Sequence, residues 1–80
     1  MGYHKRKIER GEFGKTSKIR EELDELEDAL EQNNRIMAMV ELSDLYGAIQ
    51  AVANNIGTNM TELQIMSEAT ERAFKDGTRS

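Results

Sequence analysis

Two adjacent asparagines, Asn33 and Asn34, split the most regular part of this chain into two helical stretches, and each stretch carries a pair of carboxylates at i, i+3 spacing. The first, KIREELDELEDALEQ, holds Glu22 and Glu25; the second, IMAMVELSDLYGAIQ, holds Glu41 and Asp44. That spacing puts two side chains on one helix face about one turn apart. Short polar side chains compete with the helical backbone, and Asn tolerates left-handed geometry, so the asparagine pair reads as a turn. Folded back there, Glu22 faces Asp44 and Glu25 faces Glu41, because both pairs are centred on residue 33. At about 100° per residue, the stripe Ile19, Leu23, Leu26, Leu30 is centred roughly 70° from Glu22, and the stripe Leu45, Ile49, Val52, Ile56 roughly 50° from Glu41 in the same sense. Antiparallel packing along those stripes predicts four carboxylates converging on one spot.

Four carboxylates so close repel one another unless a cation sits among them. An all-oxygen donor set, in a chain with no Cys and a single His, suits a hard ion, Mg²⁺ or Mn²⁺, rather than zinc. Acidic residues on a helix are ordinarily a solvated face. Asp24, Glu27, Asp28 and Glu31, which point away from the apolar stripe, are read that way. Glu41 and Asp44 are different. Their helix is apolar on most sides (Met37, Met39, Val40, Leu42, Leu45, Ala48, Ile49), the pattern of a buried helix, and residues 36–56 contain no Lys or Arg to pair with a buried acid.

The pattern Glu21-Glu22-x-x-Glu25 followed by Glu41-x-x-Asp44 resembles the EExxE…ExxD signature of the MazG-like nucleoside triphosphate pyrophosphohydrolases, an all-α superfamily. The resemblance extends over nearly the whole chain. It takes in Gly2-Tyr3-His4, Gly11, Gly14, Lys18 and Ile19 before the acids, Leu42-Ser43-Asp44-Leu45 within them, and Met66 through Thr70 with Ala73 through Arg79 at the end. The two ends are similar to those of short phage-type members. The resemblance implies hydrolysis of an NTP or dNTP between the α and β phosphates, giving a monophosphate and pyrophosphate. By motif position, Glu22, Glu25, Glu41 and Asp44 are expected as metal ligands. Glu21 is expected to serve a second metal or to act as base. Lys18 precedes Glu22 by one helical turn and either contacts phosphate or pairs with Glu22. Arg72, Lys75 and Arg79 are further cations for pyrophosphate, and His4 or Tyr3 is expected near the base.

Eighty residues make one domain near the lower limit for a self-sufficient core. With 38% hydrophobic residues, two Phe, two Tyr and no Trp, the monomer has little to bury. A second copy covers the remaining apolar surface most simply, which predicts an obligate homo-oligomer, dimer or tetramer; the resemblance implies the same. The expected architecture is all-α: an antiparallel helical hairpin plus a third helix, completed into a bundle by homo-oligomerisation. A net charge of −4 argues against a nucleic-acid partner. The absence of Cys removes any disulfide framework. No apolar run is read as approaching membrane-spanning length, and no signal-peptide core follows the basic start. The expected location is cytoplasmic, the host's cytoplasm for a phage-encoded chain.

Residues 1–16, with Gly2, Gly11, Gly14 and the basic cluster His4, Lys5, Arg6, Lys7, Arg10, read as an arm with at most a short helical turn. It is a solvated tail, a flap over bound nucleotide or a nucleic-acid-binding arm. Residues 17–80 form the helical domain. Thr16 or Ser17 is the expected cap of the first helix. Gly57 is the expected stop of the second, and Asn59 with Glu62 the expected capping box of the third. Gly47 suggests close approach of another helix, and Gly77 ends the third. Met60, Leu63, Met66, Ala69 or Thr70, Ala73 and Phe74 read as core, with methionines filling irregular packing. From a different functional class, the alternative is a small helical interaction protein, an antitoxin-like or adaptor dimer with a basic arm.

Overall fold

The computed structural model describes residues 4–75, the Phe74 side chain excepted. The expectations for Tyr3, Phe74, Gly77 and Arg79 lie outside the described part. Three helices follow one another: α1 Thr16–Glu31, α2 Arg35–Asn55 and α3 Met60–Lys75. The turn after α1 forms as its asparagines dictate. Asn33 takes a left-handed φ of 55°, and Asn34 Oδ1 accepts the Met37 N–H at 3.0 Å, capping α2. Gly57 takes a left-handed φ of 87° just after α2. Asn59 Oδ1 accepts the Glu62 N–H at 2.9 Å to start α3.

The expected cap of α1 does not form. The residue before the helix is Lys15, which makes no side-chain cap. The Ser17 hydroxyl instead accepts the Glu12 N–H at 3.0 Å, so it fastens the arm rather than the helix end. The arm carries no regular helix between residues 4 and 15. It runs back along α1, with His4 beside Asp28 and Gly11 beside Glu21. Among residues 4–15, His4, Arg6, Ile8, Gly11 and Gly14 are half-buried, while Lys5, Lys7 and Arg10 stay exposed.

α1 and α2 pack as the hairpin requires, but the seam is rotated from the expected stripes. The buried residues are Glu21, Glu22, Asp28 and Ala29 on α1, with Met37, Ala38, Glu41, Ala48 and Ala53 on α2. Leu26 packs onto the small cluster of Ala29, Met37 and Ala38, while Leu23, Leu30 and Ile56 are exposed. The four alanines take up little space between the helix axes, and the acids fill the rest of the seam. α2 is therefore buried on one side only: Ile36, Met39, Val40, Leu42 and Tyr46 face outward.

α3 does not join that core. It makes no extensive contact with α1 or α2. Ile65, Met66 and Ala69 are exposed, and Met60, Leu63, Thr70 and Ala73 are half-buried, so the expectation that this stripe is core fails within a single chain. Tyr46, Ile49, Met60 and Leu63 border a shallow apolar groove between α2 and α3. Among the described residues, a Cβ added at Gly47 would meet nothing within 4 Å, so none of the described helices explains that glycine. One further expectation is corrected: α2, at 21 residues, is long and apolar enough to cross a membrane by length and composition. A core helix passes the same test, and this one carries Glu41 and Asp44 near its middle, with Glu41 fully buried against its neighbours.

Candidate metal centre

The seam delivers the acids. Glu22 and Glu25 from α1 and Glu41 and Asp44 from α2 each offer one carboxylate oxygen to a group whose members all lie within 4.8 Å of one another. Their environments differ. Glu41 is completely buried, Glu22 nearly so, Glu25 half-buried, and Asp44 on the open side. Lys18, one turn before Glu22, reaches Glu22 Oε1 and Glu21 Oε2, both at 3.1 Å. The salt bridge expected as its alternative role is therefore formed, to two partners. The other oxygen of Glu22, Oε2, is buried and has no hydrogen-bond partner among the described residues. Such an atom carries the full desolvation cost of a carboxylate oxygen. A cation within the group relieves that cost, and the hard-oxygen donor set fits Mg²⁺ or Mn²⁺.

The electrostatics point the same way. Burial, a hydrogen bond with Glu41 and the negative charges of Glu22 and Glu41 push Glu25 up to about 7. Loss of water beside Glu41 raises Asp44 as well. Both shifts arise when like charges are confined without enough positive charge among them.

Glu21 has a different place. It lies next to the group in sequence but outside it in space. Its Oε1 accepts the Gly11 N–H at 2.7 Å and its Oε2 takes Lys18. Burial alone would raise its pKa, yet these two donors hold it below the ordinary glutamate value. With both oxygens engaged, Glu21 anchors the arm to α1. The arm can lie there only because residue 11 is glycine. A Cβ at Gly11 would fall 2.1 Å from the Ser17 carbonyl oxygen.

Sequence reasoning misplaced Asp28 and did not foresee the contacts of His4. His4 enters the acid seam, and it also borders the open pocket beside the acids. Its Nδ1 lies 2.8 Å from Asp28 Oδ2, and its Nε2 lies 2.9 Å from Glu41 Oε2 and 3.7 Å from Glu25 Oε2. Burial works against a charged imidazole, but Asp28, Glu25 and Glu41 together raise its pKa. Asp28, expected on the solvated face, is only 2% exposed. It accepts from His4, from the Lys5 N–H at 3.1 Å and from Gln32 Nε2 at 2.9 Å. These donors outweigh burial and lower its pKa. A signal for Asp28 was present, since Glu21, Glu25 and Asp28 recur at i, i+4, i+7 and so share one face. Glu27 and Glu31 do remain exposed, where both meet Arg6.

Beside the acids lies an open pocket of about 430 Å³, bordered by His4, Arg6, Ile8, Arg10, Lys18, Glu21, Glu22 and Glu25. It joins three arm or helix cations to one edge of the carboxylate group. Arg72 and Lys75 do not line it. Lys75 pairs instead with Glu71 on the exposed surface of α3, at 3.0 Å.

Compared with family models, with curated proteins and with solved structures, the chain matches none. The functional reading therefore rests on its own residues.

Proposed function

We propose that this chain is a metal-dependent nucleoside triphosphate pyrophosphohydrolase of the MazG-like type, cleaving an NTP or dNTP between the α and β phosphates. The observation that carries the reading is the meeting of Glu22, Glu25, Glu41 and Asp44 around a buried, unpartnered oxygen of Glu22. These four would hold Mg²⁺ or Mn²⁺. Bound there, the ion would neutralise triphosphate charge and lower the pKa of water toward neutral pH.

The chain's own residues supply the rest. The adjoining pocket, of about 430 Å³, is bordered by Lys18, Arg6 and Arg10, cations that suit polyphosphate oxygens. Lys18 is held by Glu21 and Glu22 with its ammonium at the pocket edge, and those two bridges raise its pKa against the opposing effect of burial. It therefore stays charged for phosphate oxygens. A carboxylate of the group accepts the proton of the attacking water. The arm forms one wall, which supports the reading of residues 1–16 as a flap beside the substrate.

The working unit in this reading is a homo-oligomer, dimer or tetramer, in the cytoplasm. The exposed apolar side chains of α2 and α3 (Leu42, Tyr46, Ile65, Met66) support it, since each is more than half exposed in the single chain. The same surface is what favours the second reading, a helical interaction protein whose acids have no catalytic role. Pyrophosphate release from a panel of NTPs and dNTPs, with Mg²⁺ or Mn²⁺, separates the two. The enzyme reading expects metal-dependent release by wild type and none by Glu41→Gln. A folded oligomer that releases none from any triphosphate, with metal present, overturns it.

A further inference from the structure

The described residues contain two groups able to hold an ion, and they overlap. One is the four-carboxylate group; the other is His4, Glu25 and Glu41, whose ligand atoms also lie within 4.8 Å of one another. Glu25 and Glu41 belong to both. The imidazole is not placed casually: Asp28, buried and itself held by Lys5 and Gln32, fixes Nδ1 at 2.8 Å. That leaves Nε2 directed at the two shared carboxylates. A carboxylate that fixes one ring nitrogen while the other faces acidic oxygens is the arrangement that orients a metal-ligating histidine.

We infer that His4 Nε2 is a metal ligand, with Glu25 and Glu41, for a second divalent ion beside the one held by the four carboxylates, and that Asp28 positions its ring. This rests on the reading of the four-carboxylate group as a metal site. The second position has a nitrogen donor, so it takes an ion that accepts imidazole, such as Mn²⁺, Co²⁺ or Zn²⁺, in preference to Mg²⁺. The arm is then part of the metal centre rather than only a cover. Its geometry is set by the Gly11 N–H to Glu21 contact, seven residues along the arm from His4.

His4 is the single histidine of the chain, so its ring nitrogens can be followed without ambiguity by nitrogen NMR of the full-length protein. The probe is Zn²⁺, which is diamagnetic. The expected result is that Zn²⁺ moves the Nε2 resonance to that of a coordinated nitrogen while Nδ1 stays protonated and hydrogen-bonded. His4→Ala, in which Gly11 and Glu21 still fasten the arm, should lose one of two bound Zn²⁺ or Mn²⁺ ions and keep its response to Mg²⁺. Asp28→Asn should weaken the second ion roughly 10–100-fold.

If Zn²⁺ binds and the imidazole is released or unchanged, the inference is overturned and the four-carboxylate site stands. If His4→Ala keeps both ions, it is overturned in the same way. If no divalent ion binds at all, the metal reading of the seam fails with it.

Discussion

The two sides of α2 are built on opposite rules. On the side facing α1 and the arm, the largest fully buried side chains are Glu41 and Asp28, and the apolar content is mostly alanine. On the other side, Ile36, Leu42 and Tyr46 are exposed, as are Ile65 and Met66 of α3. Charge lies inside and hydrocarbon outside. A buried carboxylate is tolerated when donors or a cation meet it. An exposed apolar surface of this extent marks a place where another surface belongs. In the proposed reading the inner side holds an ion and the outer side meets a second copy, and the two are tested separately.

The largest effect is expected on the outer side. Charged substitutions at Leu42 and Met66 should dissociate the oligomer, each weakening association by roughly 2 kcal/mol or more if it lies at the centre of the interface. Analytical ultracentrifugation of Leu42→Glu, Met66→Glu and the pair would show it. A wild type that is monomeric at every concentration would break the comparison.

Next is Gly11→Ala. The added methyl meets the backbone of the first turn of α1, so the arm must shift, at a cost of about 1–3 kcal/mol. Denaturant unfolding should report the loss, and amide exchange should rise at Lys5, whose N–H bonds to Asp28. Unchanged exchange there would mean the arm does not depend on this close approach.

The inner side also predicts a pH dependence. Glu25 is raised from 4.5 to about 7 in the metal-free protein. The folded state therefore holds a proton that the unfolded chain has already released, and stability falls as pH rises from about 4.5 to 7. His4, raised above 6.5, contributes stability below that value and loses it as pH climbs through its folded pKa. The melting temperature without metal should thus decline from mildly acidic to mildly basic pH. Divalent ions should reverse the decline, because binding displaces the Glu25 proton. A metal-free melting temperature that rises over this range would contradict the crowding of the acids.

Smaller is Gly47→Ala. Its site is open in the single chain, so helix propensity alone predicts stabilisation by about 1 kcal/mol. Destabilisation would instead locate a second copy against this face. The least effect belongs to Lys75→Ala, which removes an exposed i, i+4 pair with Glu71 worth about 0.3–0.5 kcal/mol.

What could be read from the residues follows from range. The turn at Asn33-Asn34, the Gly57 stop and the Asn59 cap are local and were legible. So was the meeting of Glu22, Glu25, Glu41 and Asp44, because symmetry about one turn fixes height along a hairpin. Rotation of the seam was not. Leu23 and Leu30 looked like the buried stripe, but alanines and acids took that place. The contact of His4 with Asp28 joins residues 24 apart through an arm without periodicity, and nothing in the local pattern announces it. α3 failed as core for a related reason: its amphipathic pattern says that it packs, not that it packs against its own chain.

The central claim is that the acid seam is a metal site, and thermal unfolding tests it most directly. An ion that binds only the folded state raises the melting temperature in proportion to the logarithm of its concentration above Kd. Mg²⁺ should raise it for wild type and not for Glu41→Gln or Glu22→Gln, and Mn²⁺ should raise it for wild type and not for Glu41→Gln, which removes a ligand common to both groups. Equal shifts in wild type and both variants, or no shift in any, would show that Glu22, Glu25, Glu41 and Asp44 are gathered for some purpose other than holding a cation.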